Sequence, residues 1–146
     1  MDYLKSFAIS AAGMSAERTR VEVAALNLAN ANTAADATGG YRPLRAVVQA
    51  LPVGLGTAIG PGTFDDLVGS GLFAPSASIE QSSRAPRRVH EPGHPLADAS
   101  GFVSYPAVDS ATEMVSMMAA TRAYEANVAA LNAARVVAMK SLDIGA

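Results

Sequence analysis

The chain has no cysteine, only 16% charged and 5% aromatic residues, and no unbroken apolar run near the ~20 residues that a membrane span requires. Lack of cysteine excludes disulfides and thiol catalysis and leaves the redox compartment open. The formal net charge of −2 supplies no electrostatic footprint for nucleic acid or an anionic membrane. The two histidines, His90 and His94, share one proline-rich loop, so no Ser-His-Asp arrangement can be built from them. Proline itself is missing from both ends: all eight prolines fall between Tyr41 and Pro106, together with most of the glycines.

What remains at the ends is two alanine-rich segments of about thirty residues or more, each long enough for a rod of roughly 45 Å at ~1.5 Å per residue. Half of the chain is hydrophobic, which is the content of a structured protein. Much of it is alanine, which buries little area. At ~25 cal/mol per Å² two such helices stabilise each other weakly against an ordering cost of ~1.5 kcal/mol per residue. The ends are therefore expected to be poorly ordered in the free monomer and to fold on assembly.

In the first segment Leu4, Phe7, Ala11, Met14, Arg18, Val21, Ala25 and Leu28 recur at steps of three and four, the spacing of a coiled-coil seam. The segment closes at Leu28-Ala29-Asn30-Ala31-Asn32-Thr33, where asparagine suits a left-handed cap, before Gly39-Gly40 turns the chain. Lys5 and the apolar residues after it resemble a short signal peptide, but Asp2 spoils the basic flank and the periodicity runs on past any cleavage site. One continuous amphipathic helix is expected instead.

The second segment opens with Ser110-Ala111-Thr112-Glu113, the pattern of a capping box. Its seam is Met114, Met117, Thr121, Tyr124, Val128, Leu131, Ala138 and Leu142, with Arg135 within it. Charges decide what kind of helices these are. A solvated helix gathers its charges on one face, whereas Glu113, Arg122, Glu125, Arg135 and Lys140 are scattered around the wheel, as are Lys5, Glu17, Arg18, Arg20 and Glu22. Helices buried on several sides, with Asn127 and Asn132 available to set register, suit a repeating polymer.

The middle predicts strands at 41–51 and 101–105 and a weaker one at 77–81, with loop composition over 54–62. Three patterns there imitate chemistry. His90-Glu91-Pro92-Gly93-His94 spells a zinc-protease motif, but that motif needs a helix, which Pro92 and Gly93 break. Gly54, Gly56 and Gly60 lack the Gly-Lys-Ser/Thr ending of a phosphate loop. Arg84, Arg87 and Arg88 have no aromatic neighbours in sequence, so solvation or a subunit contact is expected. Paired acids such as Asp65 and Asp66 are ordinary loop residues. No catalytic, metal or cofactor site is expected, and no enzyme.

The run Ser10-Ala11-Ala12-Gly13-Met14-Ser15-Ala16 continuing to Asn27-Leu28-Ala29-Asn30-Ala31-Asn32-Thr33 resembles the signature of the bacterial flagellar rod proteins. Pro92-Gly93-His94-Pro95, Ala97-Asp98, Gly101-Phe102-Val103-Ser104-Tyr105-Pro106, Glu113-Met114-Val115 and Arg122-Ala123-Tyr124-Glu125-Ala126-Asn127-Val128 through Leu131-Asn132 resemble the proximal rod subunit in particular.

The resemblance implies a structural part of the basal-body rod that crosses the periplasm, exported by the flagellar type III apparatus without a cleaved signal peptide. Its partners would be other copies and other rod proteins, with no nucleic acid, small-molecule substrate or membrane insertion. The expected fold is mainly α, with an antiparallel coiled-coil-like pair of terminal helices and a small Gly/Pro-rich β module between them. Units are expected at 1–38, 39–106 and 107–146. Candidate subunit-packing residues are the seams, with Asn30, Asn32, Asn127 and Asn132, and Arg18 and Arg135 as inter-subunit charge partners. A different rod or hook-basal-body subunit of the same architecture, or a soluble coiled-coil adaptor, are the competing readings.

Overall fold

The computed structural model describes residues 3–36, 39–52 and 73–144, with side chains from Ser6 to Asp143 except Pro52. The expected glycine loop at 54–62 and the pair Asp65 and Asp66 lie outside the described residues, as does the side chain of Leu4. In chain order the elements are α1 (Tyr3–Asn30), β1 (Leu44–Pro52), β2 (Phe73–Gln81), β3 (Arg87–His90), β4 (Phe102–Tyr105) and α2 (Ser110–Ile144). Two long terminal helices thus bracket a small β region.

The helices form from proline-free, alanine-rich sequence with strong helix propensity. At 28 and 35 residues they are about 42 and 52 Å long at ~1.5 Å per residue. They run antiparallel, since Gly13 of α1 lies against Asn127 of α2 while Asn27, at the other end of α1, meets Glu113 in the first turn of α2. The buried apolar side chains are small: Ala16, Val23 and Ala24 on α1, Ala31 in the turn after it, Ala120 on α2, and Val103 on β4.

Both helix ends differ from expectation. α2 is capped by Asp109, not Ser110: its carboxylate accepts from the Ala111 amide at 3.0 Å and from the Thr112 hydroxyl at 2.8 Å, while its carbonyl accepts from the Glu113 amide. Aspartate caps as well as serine, and the one-residue shift frees the Glu113 carboxylate for a tertiary partner. At the end of α1, Asn30 does not adopt a left-handed conformation. No non-glycine residue among those described has positive φ, and the Asn30 amide bonds back to the Leu26 carbonyl at 2.8 Å. Gly39, with φ of 119°, takes the left-handed position instead.

Two antiparallel two-stranded sheets, β1-β2 and β3-β4, make up the β region, and the first packs along α1. The weak strand expected at 77–81 extends back to Phe73 through Pro75. The ladder explains why proline is tolerated there. The Ser82 amide donates to the Pro43 carbonyl across the hairpin, so main-chain groups of Pro43, Arg45, Val47 and Gln49 face β2, and those of Leu44, Ala46, Val48 and Ala50 face outward. Pro75 pairs with Ala50 and so also faces outward, where its missing N–H costs no ladder bond. β3 was not expected at all: it consists of Arg87, Arg88, Val89 and the first histidine of the zinc-like string.

Candidate functional site

Asn27 ties the helix pair to the β region. It is 1% exposed, and its amide uses all four of its hydrogen-bonding positions. Nδ2 donates to the Leu44 carbonyl at 2.8 Å and to Glu113 Oε1 at 3.1 Å; Oδ1 accepts from the Leu44 amide at 2.8 Å and the Tyr41 hydroxyl at 2.9 Å. Toward Leu44 the side chain therefore acts as a surrogate strand residue, pairing with both main-chain groups on the outer edge of β1. Burial, and then the Glu113 charge, push the Tyr41 phenol above its ordinary pKa. That keeps it a neutral donor.

A second close contact sets the helix separation. A methyl group at Gly13 would fall 2.8–3.0 Å from the Asn127 amide, which itself donates to the Ala123 carbonyl at 3.0 Å. The helices approach because glycine and alanine line that contact.

β3 and β4 form a clasp. The Arg87 guanidinium lies 5.5 Å from the Tyr105 ring centre and Arg88 lies 4.9 Å from that of Phe102, with His90 edge-on to Phe102. The arginines lacking aromatic neighbours in sequence thus gain them across the sheet. Asp98 holds the returning loop through the Ser100 and Phe102 amides at 2.8 and 2.9 Å and pairs with Arg88. The Phe102 amide is the chief reason its carboxyl sits below the ordinary value, with the Ser100 amide and Arg88 adding to the effect. Gly101 takes φ of 77° so that the loop can return. The Ala35 amide donates to the Ser104 carbonyl, joining the clasp to the chain after α1.

The zinc-like string occupies the end of β3 and a turn, not a helix. His94 Nδ1 accepts from the Leu96 amide, and Glu91 accepts from the Tyr105 hydroxyl. Among the described residues no group of three or more His, Asp or Glu is placed to hold a metal. No described helix is long and apolar enough to cross a membrane.

The buried residues of α1 are Gly13, Ala16, Val23, Ala24 and Asn27, a line about one residue, ~100°, around the helix from the expected seam. Of that seam, Phe7, Met14, Val21 and Leu28 are half-buried, whereas Ala11, Arg18 and Ala25 are exposed. On α2, Met117, Asn127, Val128, Leu131 and Ala138 are half-buried; Met114, Thr121, Tyr124, Asn132, Arg135 and Leu142 are exposed. Asn30 is half-buried and Asn32 exposed. Arg18 is not an unpaired charge: it pairs with Glu22 one turn on, at 2.9 Å. The residues missed by periodicity are Gly13, Asn27 and Tyr41. The signal for the first two was a glycine and an asparagine on the same face of an alanine-rich helix, and Tyr41 left none.

A family model described as Flagella basal body rod protein matches residues 7–34, within and just past α1. One described as Flagellar basal body rod FlgEFG protein C-terminal matches residues 99–144, which span β4 and α2. The chain is 36% identical over 145 residues to the flagellar basal-body rod protein FlgC of Salmonella typhimurium, covering 99% of each. It is 36% identical over 146 residues to that of Escherichia coli O6:H1 and 33% over 150 residues to that of Bacillus subtilis, again covering 99% of each chain. With α2 and all but the first residues of α1 inside the matched segments and relatives aligned from end to end, the chain belongs to the FlgC family of flagellar basal-body rod proteins.

Proposed function

We propose that this chain, a structural subunit of the flagellar basal-body rod, serves the proximal part of the drive shaft, where it transmits torque and carries out no catalysis. The observation that carries the reading is the apolar surface left open on α2: Met114, Val115, Met118, Tyr124, Val136, Val137, Met139 and Leu142 are all exposed, the last at 74%. A lone molecule gains nothing from such a surface, whereas a polymer buries it between copies and other rod proteins. The expected seam residues that α2 leaves open, Met114, Thr121, Tyr124, Arg135 and Leu142, add to this helix's exposed surface, and Arg135 serves as a charge partner across it.

Transport through the flagellar type III apparatus across the periplasm, without a cleaved signal peptide, fits helices held together mainly by alanine. Such a pair unravels at low cost and orders again when neighbours cover it. In this reading the units 1–38 and 107–146 form the shaft wall and 39–106 form its outer module.

In-frame deletion with complementation tests the proposal, scored by swimming and by electron microscopy of extracted basal bodies. Loss of rod, hook and motility, restored by the intact gene, is the expected result. Normal rods in the deletion strain would overturn it.

A further inference from the structure

The chain contains no cysteine and no tryptophan, so its six methionines are the side chains that peroxide oxidises most readily. Their placement is uneven. Among the described residues Met14 and Met117 are half-buried, whereas Met114, Met118 and Met139 are exposed, at 49%, 57% and 57%. The three exposed ones all lie on α2.

At ~100° per residue the three fall within about 60° of one another around the helix and run in one stripe along roughly 38 Å of it. Val136, also exposed, falls inside the same arc. Fully buried Ala120 lies about 100–160° from them, so the stripe points away from the side that α2 buries in its own chain. The oxidisable sulfur of the subunit is thus collected on the open apolar surface of α2. A thioether suits such a surface, since it is apolar and its rotatable bonds adapt to an irregular partner.

We propose that Met114, Met118 and Met139 form a peroxide-sensitive modification site: their oxidation to sulfoxide blocks incorporation of the free subunit, and incorporation in turn shields them. This rests on the reading of α2 as a packing surface. Each thioether sulfur attacks one oxygen of hydrogen peroxide; an S–O bond forms, the O–O bond breaks and, with proton transfer, water leaves. Sulfur is oxidised by two electrons and peroxide is reduced. The product is a polar, chiral side chain in place of an apolar one. On the free subunit water solvates it. Buried against an apolar neighbour without a donor, it should weaken the contact about fivefold or more per site. Enzymatic sulfoxide reduction reverses the change.

The test first compares the purified full-length chain with basal bodies extracted from cells, both exposed to hydrogen peroxide and read by peptide mass spectrometry. Sulfoxide at the three positions should form several-fold more slowly in the rods. Two triple variants then complement the deletion strain. M114L/M118L/M139L keeps apolar bulk without the oxidisable sulfur and should build rods as the native chain does. M114Q/M118Q/M139Q carries polarity like that of the sulfoxide. It should build several-fold fewer rods, although the purified variant keeps the native circular dichroism spectrum. Equal oxidation of free chain and rods would overturn the packing surface itself, and the proposal with it. Slower oxidation in rods combined with normal rods from the glutamine variant would overturn the proposal alone, as would loss of rods in the leucine variant.

Discussion

Replacing Asn27 by alanine should be among the most damaging single changes available in this chain. The substitution removes four hydrogen bonds of 2.8–3.1 Å at a residue that is 1% exposed. At a net ~1 kcal/mol each, the loss is about 3–4 kcal/mol, trimmed to about 3 because water can reach half-buried Tyr41 and Glu113 and reform part of their bonding. Tyr41→Phe removes one of the four and should cost about 1 kcal/mol. Asn27→Asp keeps the acceptor for Tyr41 and the Leu44 amide but sets a carboxylate against Glu113 and the Leu44 carbonyl. It should be at least as damaging as alanine at neutral pH, and milder as acid protonates it. The assay is the urea midpoint at constant m-value, with hydrogen exchange of the Leu44 amide as a local probe. A loss for Asn27→Ala below about 1 kcal/mol, or no larger than that of Tyr41→Phe, would show that the amide does not join α1 to β1 and α2 as described.

Four further outcomes are expected. Gly13→Ala gains ~1 kcal/mol of helix propensity but drives a methyl group into the Asn127 amide, so the net effect should be neutral to destabilising; adding Asn127→Ala should recover the propensity gain, and strictly additive effects in urea titrations would refute the clash. Acid should weaken the fold through Asp98 and Asp109. Asp98 is lowered chiefly by the Phe102 amide and Asp109 chiefly by the Thr112 hydroxyl. Both therefore contribute stability above their unfolded value of 3.8 that is lost as pH falls through the lower folded value. Asp98→Asn and Asp109→Asn should flatten that part of the stability-pH curve, and an unchanged curve would discount both carboxylates. In the free chain, hydrogen exchange should be slowest near Asn27 and Glu113 and fastest in Phe7–Ala12 and Ala133–Leu142, where half or more of the side chains are exposed; uniform protection would contradict the expectation that helix order comes with assembly. Finally, Leu131→Asp puts a charge on the half-buried side of α2 and should abolish rod assembly in the complemented deletion strain; normal rods would move the packing surface elsewhere.

Local chemistry made much of this molecule legible. Proline-free alanine-rich stretches with apolar residues every three or four positions can only be satisfied as helices, and α1 and α2 fall on them. The β-branched run at Val47-Val48 and the Gly-Phe-Val-Ser-Tyr stretch became β1 and β4 for equally local reasons. β3 was hidden because Arg87, Arg88 and His90 carry no strand pattern; they become a strand by stacking on Tyr105 and Phe102 across the sheet. Likewise Pro75 is accommodated in β2 because the register turns its missing N–H outward.

Sequence alone therefore determined the two helices and the β region between them, because periodicity, proline placement and composition are properties of contiguous residues. Tertiary structure decided which side of each helix faces the other. Periodicity selects the largest apolar residues, whereas close antiparallel packing selects the smallest, and Gly13, Ala16, Ala24 and Ala120 won that contest. It also decided that Asn27, Tyr41, Leu44 and Glu113 meet, since a bonded cluster drawn from residues as much as 86 positions apart leaves no trace in local spacing.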